Sequence, residues 1–287
     1  MTIMPTSRFL LSFLLAALLM IPTAAAQMDR QRSVPQPDEL FWSPAVILLP
    51  STTTLKPGDL DFTIHHTFGP VSGGLSTLFG LDDAANIRFG LDYGVTPWAM
   101  IGVGRSRFNK TVDFRAKARV LNNEHLQASL FYNAAAETLE DGRDLVDRMA
   151  YHTSALAAHR VTEDLVIQVS PGFTRFVYAP DEEQLDGSVW RGLNNHWSVG
   201  SAVHYELKDN VAVTGEYLAV MGERTDETTN VFSVGVDIET GGHVFQMFFS
   251  STQWITPQHA LAWSRNPLSD MDFGWGFNVH RVFGTGR

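Results

Sequence analysis

The stretch NIRFGLDYGVTPWAMIGVGRSR, Asn86–Arg107, decides the fold. Read two residues at a time, Ile87, Phe89, Leu91, Tyr93 and Val95 share one face, and Asn86, Arg88, Gly90, Asp92 and Gly94 share the other. After Thr96-Pro97-Trp98 the alternation resumes, with Ala99, Ile101 and Val103 apolar and Gly102, Gly104 and Ser106 small or polar. Strand side chains point alternately to opposite faces, so this is a two-faced antiparallel hairpin. Only an odd-length connection keeps both apolar sets on one face, which predicts a three-residue turn pairing Val95 with Ala99. Each arm is about ten residues, the length a tilted strand needs to cross a bilayer.

The pattern recurs in both directions. Leu60, Phe62, Ile64 and Phe68 oppose Asp61, Thr63, His65 and Thr67, and a long Gly/Ser loop, Gly69–Ala85, leads into the hairpin. Val112, Phe114, Ala116, Ala118 and Val120 oppose Asp113, Arg115, Lys117 and Arg119. Leu126–Ala136 and Met149–Arg160 read as strands flanking an acidic loop, and Leu165, Ile167, Val169 and Phe173 follow a tight turn. Beyond the long loop Arg175–Asn195, Trp197–Leu207 returns through Lys208-Asp209-Asn210, again an odd turn, pairing Leu207 with Val211 and Tyr205 with Val213. Phe232–Ile238 and Phe245–Phe249 require an even turn, and Glu239–Gly242 supplies four residues. The loop Ser251–Asp270 precedes a last strand with Phe273, Trp275, Phe277 and Val279 outward. That gives about twelve strands, with long and tight connections alternating, as in an up-and-down transmembrane barrel with short periplasmic turns and longer outside loops.

The start of the chain agrees. Arg8, the apolar run Phe9–Ile21 and Ala24-Ala25-Ala26 read as a secretory signal peptide cleaved near Ala26. Residues 27–58 then form an N-terminal periplasmic or plug segment, 59–283 the barrel and 284–287 a short tail. Within the lead-in, Ala45–Leu49 (AVILL) fits an extra strand, an inserted plug or a packed periplasmic segment equally, because periodicity does not separate these for a short apolar run. The absence of cysteine excludes disulfides, a Cys nucleophile and a lipoprotein start. No later run is long and apolar enough for a membrane helix. The net charge of −10 argues against a nucleic-acid partner, which needs a basic surface.

A soluble sandwich or lipocalin-like barrel is the competing reading, since those also alternate. They hide the apolar face, however, and the polar face here carries Arg88, Asp92, Arg115, Lys117, Arg119, Glu206, Glu216 and Asp237. A lumen satisfies such groups with water and with each other, while the apolar exterior meets lipid. The expected location is therefore the outer membrane.

Thr54–Ser106, Val234–Ser251 (VGVDIETGGHVFQMFFSS) and Trp275–Phe283 (WGFNVHRVF), with matching spacing between them, resemble an uncharacterised family of bacterial outer-membrane β-barrel proteins. The resemblance spans nearly all of the chain after the leader. It departs upstream, where an Arg and an Asn-Gly pair are replaced by Ala45 and Leu48-Leu49. It implies a fold and a location, and no catalytic residues.

The charged inner face is the leading functional candidate. Arg88, Arg115, Lys117 and Arg119, beside Asp92, form a basic strip of the kind that favours anions in a pore, so a channel or binding barrel for small polar solutes is expected. The alternative is a non-conducting structural or surface-interaction barrel, in which the strip pairs with Glu206, Glu216 and Asp237 and the long loops make the contacts. Trp275, Phe277, Val279 and Phe283 form a C-terminal signal for barrel-assembly machinery, although Arg281 interrupts its outward face. The adjacent His65 and His66 point to opposite faces and cannot share a metal, and no cofactor is expected. His152 and Ser154 share a strand face, which is the one arrangement that suits a membrane-embedded lipid hydrolase. No G-x-S-x-G elbow accompanies them, and no enzyme is expected.

Overall fold

The computed structural model describes residues 39–270 and 272–284. The expected signal peptide, Met1–Ala26, and residues 285–287 of the tail lie outside these. Strands β1 (Leu60–Pro70), β2 (Asn86–Thr96), β3 (Ala99–Ser106), β4 (Val112–Asn122), β5 (Leu126–Ala136), β6 (Met149–Arg160) and β7 (Leu165–Phe176) follow one another. A two-residue ribbon, β8 (Glu182–Glu183) with β9 (Val189–Trp190), decorates the long loop after β7. Strands β10 (Asn195–Lys208), β11 (Val211–Met221), β12 (Val231–Glu239), β13 (His243–Ser250) and β14 (Gly274–Phe283) complete the sequence. Apart from the ribbon, each pairs antiparallel with its neighbour, and β14 returns to β1, so twelve strands close a barrel.

The faces follow the alternation. Phe89, Leu91, Val103, Phe114, Leu130 and Trp197 are exposed outward, while Asp61, Thr63, Arg88, Gln168, Thr214 and Ser233 are buried inward. Such inversion suits a protein whose solvent on the outside is hydrocarbon. It excludes the soluble sandwich and the lipocalin-like barrel, whose apolar faces point inward. Among the described residues no helix is long and apolar enough to cross a membrane.

Two turns differ from the expectation in an instructive way. Thr96 pairs with Ala99 across Pro97-Trp98, and the ladder slips between Gly94 and Thr96. Lys208 likewise pairs with Val211, with a slip between Glu206 and Lys208, while Tyr205 faces Val213 as expected. The odd parity is real, but a bulged residue carries it, Val95 or Leu207, in place of a longer turn. Two-residue connections match strand twist best, and a bulge absorbs the surplus. Between β12 and β13 the even parity holds: Glu239 pairs with Val244, leaving four residues, one position further along than expected.

The lumen is filled from both ends. From the tight-turn end, residues 39–55 run inward as a plug, reverse at Val46–Leu49, and run back out to β1. Val46 N–H donates to Leu49 O (2.7 Å), Ser51 N–H donates to Pro44 O (3.1 Å), and Ala45 bridges Pro50. Leu40, Phe41 and Val46 pack against Ala158, Val166 and Ala202 of the barrel wall. This resolves the Ala45–Leu49 run as a plug. From the opposite end, the loop between β13 and β14, expected at the surface, folds inward as helix α1 (Pro257–Trp263), with residues 257–262 buried. Leu261 and Ala260 meet Leu49, Leu218 and Val231 in one apolar cluster, so helix and plug touch across the barrel.

Candidate functional site

The basic strip lies on β2 and β4, and β3, whose inward face carries only glycine between Met100 and Ser106, separates them. Asp92 of β2 is in register with Gly102 of β3, which is in register with Arg115 of β4. Gly90 likewise faces Gly104, which faces Asp113. A Cβ on Gly104 would lie 1.9 Å from Arg88 Nη2, and one on Gly102 would lie 1.8 Å from Asp92 Oδ1. The glycines are therefore required, because the charged groups reach over β3 to meet. Arg88 donates through Nε and Nη2 to the two oxygens of Asp113, both at 2.8 Å, and Arg115 Nη2 donates to Asp92 Oδ2 at 2.7 Å. Bidentate guanidinium–carboxylate pairing is the geometry that best tolerates burial.

The rest of the strip holds the plug. Lys117 Nζ donates to Pro44 O and Thr53 O, each at 2.8 Å. Arg119 pairs with Glu39 at the tight-turn rim. Burial pushes the Glu39 carboxyl up, and the Arg119 bond and charge only partly oppose it.

The acidic residues lie across the barrel, half the sheet away from β3. Glu216 of β11 accepts the backbone N–H groups of Ile47 (3.2 Å), Leu48 (3.0 and 3.1 Å) and Leu49 (3.0 Å). Asp237 accepts from Thr214 Oγ1 (2.9 Å) and Gln246 Nε2 (3.1 Å). Glu206 is half-buried and accepts from the Trp42 side chain. All eight predicted lumen charges thus point inward. The expected pairing of the basic strip with Glu206, Glu216 and Asp237 does not occur: the plug stands between the two walls and bonds Lys117, Arg119, Glu206 and Glu216, while Arg88, Arg115 and Asp237 find partners within their own walls. Gln168 and Asn278 complete the clamp by donating to Pro50 O (2.8 Å) and Ile47 O (2.9 Å).

At the outer end, His259 of α1 meets Glu137, Nε2 to Oε1 3.3 Å, and Gln258 Nε2 donates to Asn133 Oδ1 at 2.7 Å. Burial would raise the Glu137 carboxyl, but the bonds and charges of His259, Asn109 and Arg143 outweigh it and hold it below the usual range. Sequence reasoning missed this cap. A signal was present in Thr256-Pro257, since proline at the first helical position is a helix start.

His65 is buried inward, while His66 faces outward and stacks on Phe277 at 5.0 Å. His152 and Ser154 both face the lumen, but His152 Nδ1 is bonded to Thr174 Oγ1 (2.8 Å) and Ser154 Oγ has no hydrogen-bond partner. The nucleophile–base bond a hydrolase needs is not formed. Trp275 stacks on Phe68 at 4.2 Å, and the Arg281 guanidinium lies 5.3 Å over the Phe283 ring, so the interruption of the outward face is covered at the rim.

Residues 41–283 match the model of the family described as "Membrane bound beta barrel domain (DUF5777)". The chain belongs to this family. Membership agrees with the resemblance in the strand motifs, and the match takes in the plug as well as the barrel. No curated protein matches the chain. Among solved structures, the NanC porin is similar at 10% identity, covering 78% of this chain and 99% of its own, with a TM-score of 0.50. The KdgM porin (9% identity, 78% and 99%, TM-score 0.48) and an outer membrane channel from Pseudomonas putida F1 (12%, 80% and 97%, 0.47) are also similar. The likeness to the NanC porin is one of fold, a closed antiparallel β-barrel.

Proposed function

We propose that the protein is an outer-membrane channel for small polar solutes carrying an anionic group, closed by its own N-terminal plug and opened when the plug withdraws. The observation that carries this reading is how the plug is held. It enters and leaves at the same rim, pairs with no barrel strand along its inserted part, and is held by hydrogen bonds to lumen side chains and by the apolar packing of Leu40, Phe41, Val46 and Leu49. Withdrawal therefore breaks no barrel ladder. It frees Lys117 from Pro44 and Thr53 and Arg119 from Glu39, while Arg88 and Arg115 keep their carboxylates. The inward face of β4 then presents two unpaired cations to a passing solute, which favours anionic groups there. The barrel-assembly machinery would read the C-terminal strand through Trp275, Phe277, Val279 and Phe283.

The second reading, a non-conducting structural barrel, is favoured by the filling of the lumen from both ends. Planar-bilayer conductance separates the two. The intact chain is expected to be nearly silent. Deleting residues 39–55, alone or with residues 256–264 replaced by a Gly-Ser linker, is expected to give discrete steps. Arg115→Glu with Lys117→Glu should then reduce the flux of a small carboxylate relative to a cation. Folded barrels that stay silent in both deletions would refute the channel.

A further inference from the structure

The plug, the β1–β5 wall and Ile255–Pro257 at the start of the helical cap border a space of about 40 Å³ open to the centre of a water molecule. One water needs about 10–15 Å³ on this measure, so the space admits a few waters or one ligand of three or four heavy atoms. Pro44, Ala45 and Leu48 line it from the plug, and Arg88, Asp92, Asp113, Arg115 and Lys117 from the barrel.

Several buried polar atoms here lack a partner: Arg88 Nη1, Arg115 Nε, Asp92 Oδ1 and both ring nitrogens of His65. The Arg88 side chain is 2% exposed. Arg88 Nη1 and Arg115 Nη2 each come within 2.7 Å of the point a Cβ on Gly90 would occupy. The two guanidinium groups therefore stand no more than twice that distance apart. Arg88 has Asp113 and Arg115 has Asp92, but Lys117 bonds only backbone carbonyls. Three cations and two carboxylates line the space; Asp61, in register with Asp92 on β1, does not line it, and its Oδ2 is bonded to His280 Nδ1 at 2.8 Å while its Oδ1 has no partner. The unfilled donors belong to Arg88 and Arg115, and with Lys117 beside them a ligand bringing negatively charged acceptor oxygens satisfies both donors and charge.

We propose that this space is a binding site for one small planar monoanion, an oxyanion of formate or nitrate size, held by Arg88, Arg115 and Lys117 and covered by the plug. Planar oxyanions match the fork of a guanidinium, and three or four heavy atoms fill the volume. A bound anion touches the plug as well as the wall, so it strengthens the plugged state. The site is independent of conduction, because binding is read on the closed barrel and stands whether or not the plug ever opens.

The test is thermal unfolding of the refolded full chain in detergent, followed by heat-modified gel mobility at constant ionic strength. Sodium formate and sodium nitrate are titrated against sodium gluconate, whose anion is too large for the space. Formate and nitrate are expected to raise the transition temperature saturably while gluconate does not. Lys117→Met, which removes the surplus charge, and Ala45→Leu, which fills the space and leaves every charge in place, should each abolish the difference. Equal effects of all three salts, or a formate response that survives in both folded variants, would overturn the site.

Discussion

Removing the carboxylate of Glu216 should release the plug. Three consecutive backbone N–H groups converge on it at 3.0–3.2 Å, and no other group in the hairpin turn replaces it. A hydrogen bond to a charged group contributes about 1.5–3 kcal/mol, so three such bonds sum to roughly 4.5–9 kcal/mol. Bonds sharing one acceptor do not add fully, so the lower end is the safer figure. At about 1.4 kcal/mol per tenfold, that end shifts the seated plug toward the withdrawn state by roughly three decades. Glu216→Ala also leaves three buried donors unpaired, and these regain partners only by moving out to water. Because the chain has no cysteine, Ala45→Cys supplies the sole thiol, on a residue only 8% exposed. In that background Glu216→Ala should raise the rate of maleimide labelling at least about a hundredfold, and Glu216→Gln, which keeps one acceptor oxygen, should fall between. Heat-modified gel mobility reports whether the barrel is intact. A folded Glu216→Ala barrel labelling within about twofold of its parent would refute the reasoning.

Gly104→Ala places a methyl group where Arg88 Nη2 lies and should disrupt the buried pair with Asp113, at a cost of about 3–5 kcal/mol, read as a lower urea midpoint for the folded band. Gly172, which a Cβ would crowd only to 2.9 Å from a His152 ring carbon, should tolerate alanine better in the same assay. The helical cap should loosen in acid. Glu137 is held below its ordinary range, so its contribution is complete above that range and is lost as pH falls through the lowered value. Fluorescence of Trp254 and Trp263, both packed on His259, should follow that loss, and Glu137→Gln should flatten the acid limb.

The barrel was legible because alternation depends only on which solvent each face meets, and lipid outside with polar groups inside leaves a clean period of two. Parity of the turns was legible for the same reason. Its execution was not: a bulge at Val95 or Leu207 and a longer turn give the same faces, and only the register of Thr96 with Ala99 separates them. Which charges pair was hidden because the plug, a short apolar run with no periodicity of its own, decides what stands between the two walls. One clue lay in plain view. Gly102 and Gly104 alternate on a strand whose neighbours carry Asp92, Arg88, Asp113 and Arg115, and glycine there marks charges meeting across it. The helix was passed over because seven residues are too few for a moment to emerge, even with its proline start.

The plug also bears on the order in which the molecule is made. Its bonds join it to β4, β5, β7, β11, β13 and β14, at sequence separations from 64 at Lys117 to 231 at Asn278. Contacts that distant form only after most of the chain has been laid down. The earliest of the described residues are thus among the last to find their places, and they do so against strands from nearly the whole circumference. A segment so placed is seated against a wall that is already built, so the strand ladders, the seam between β1 and β14 included, form without it.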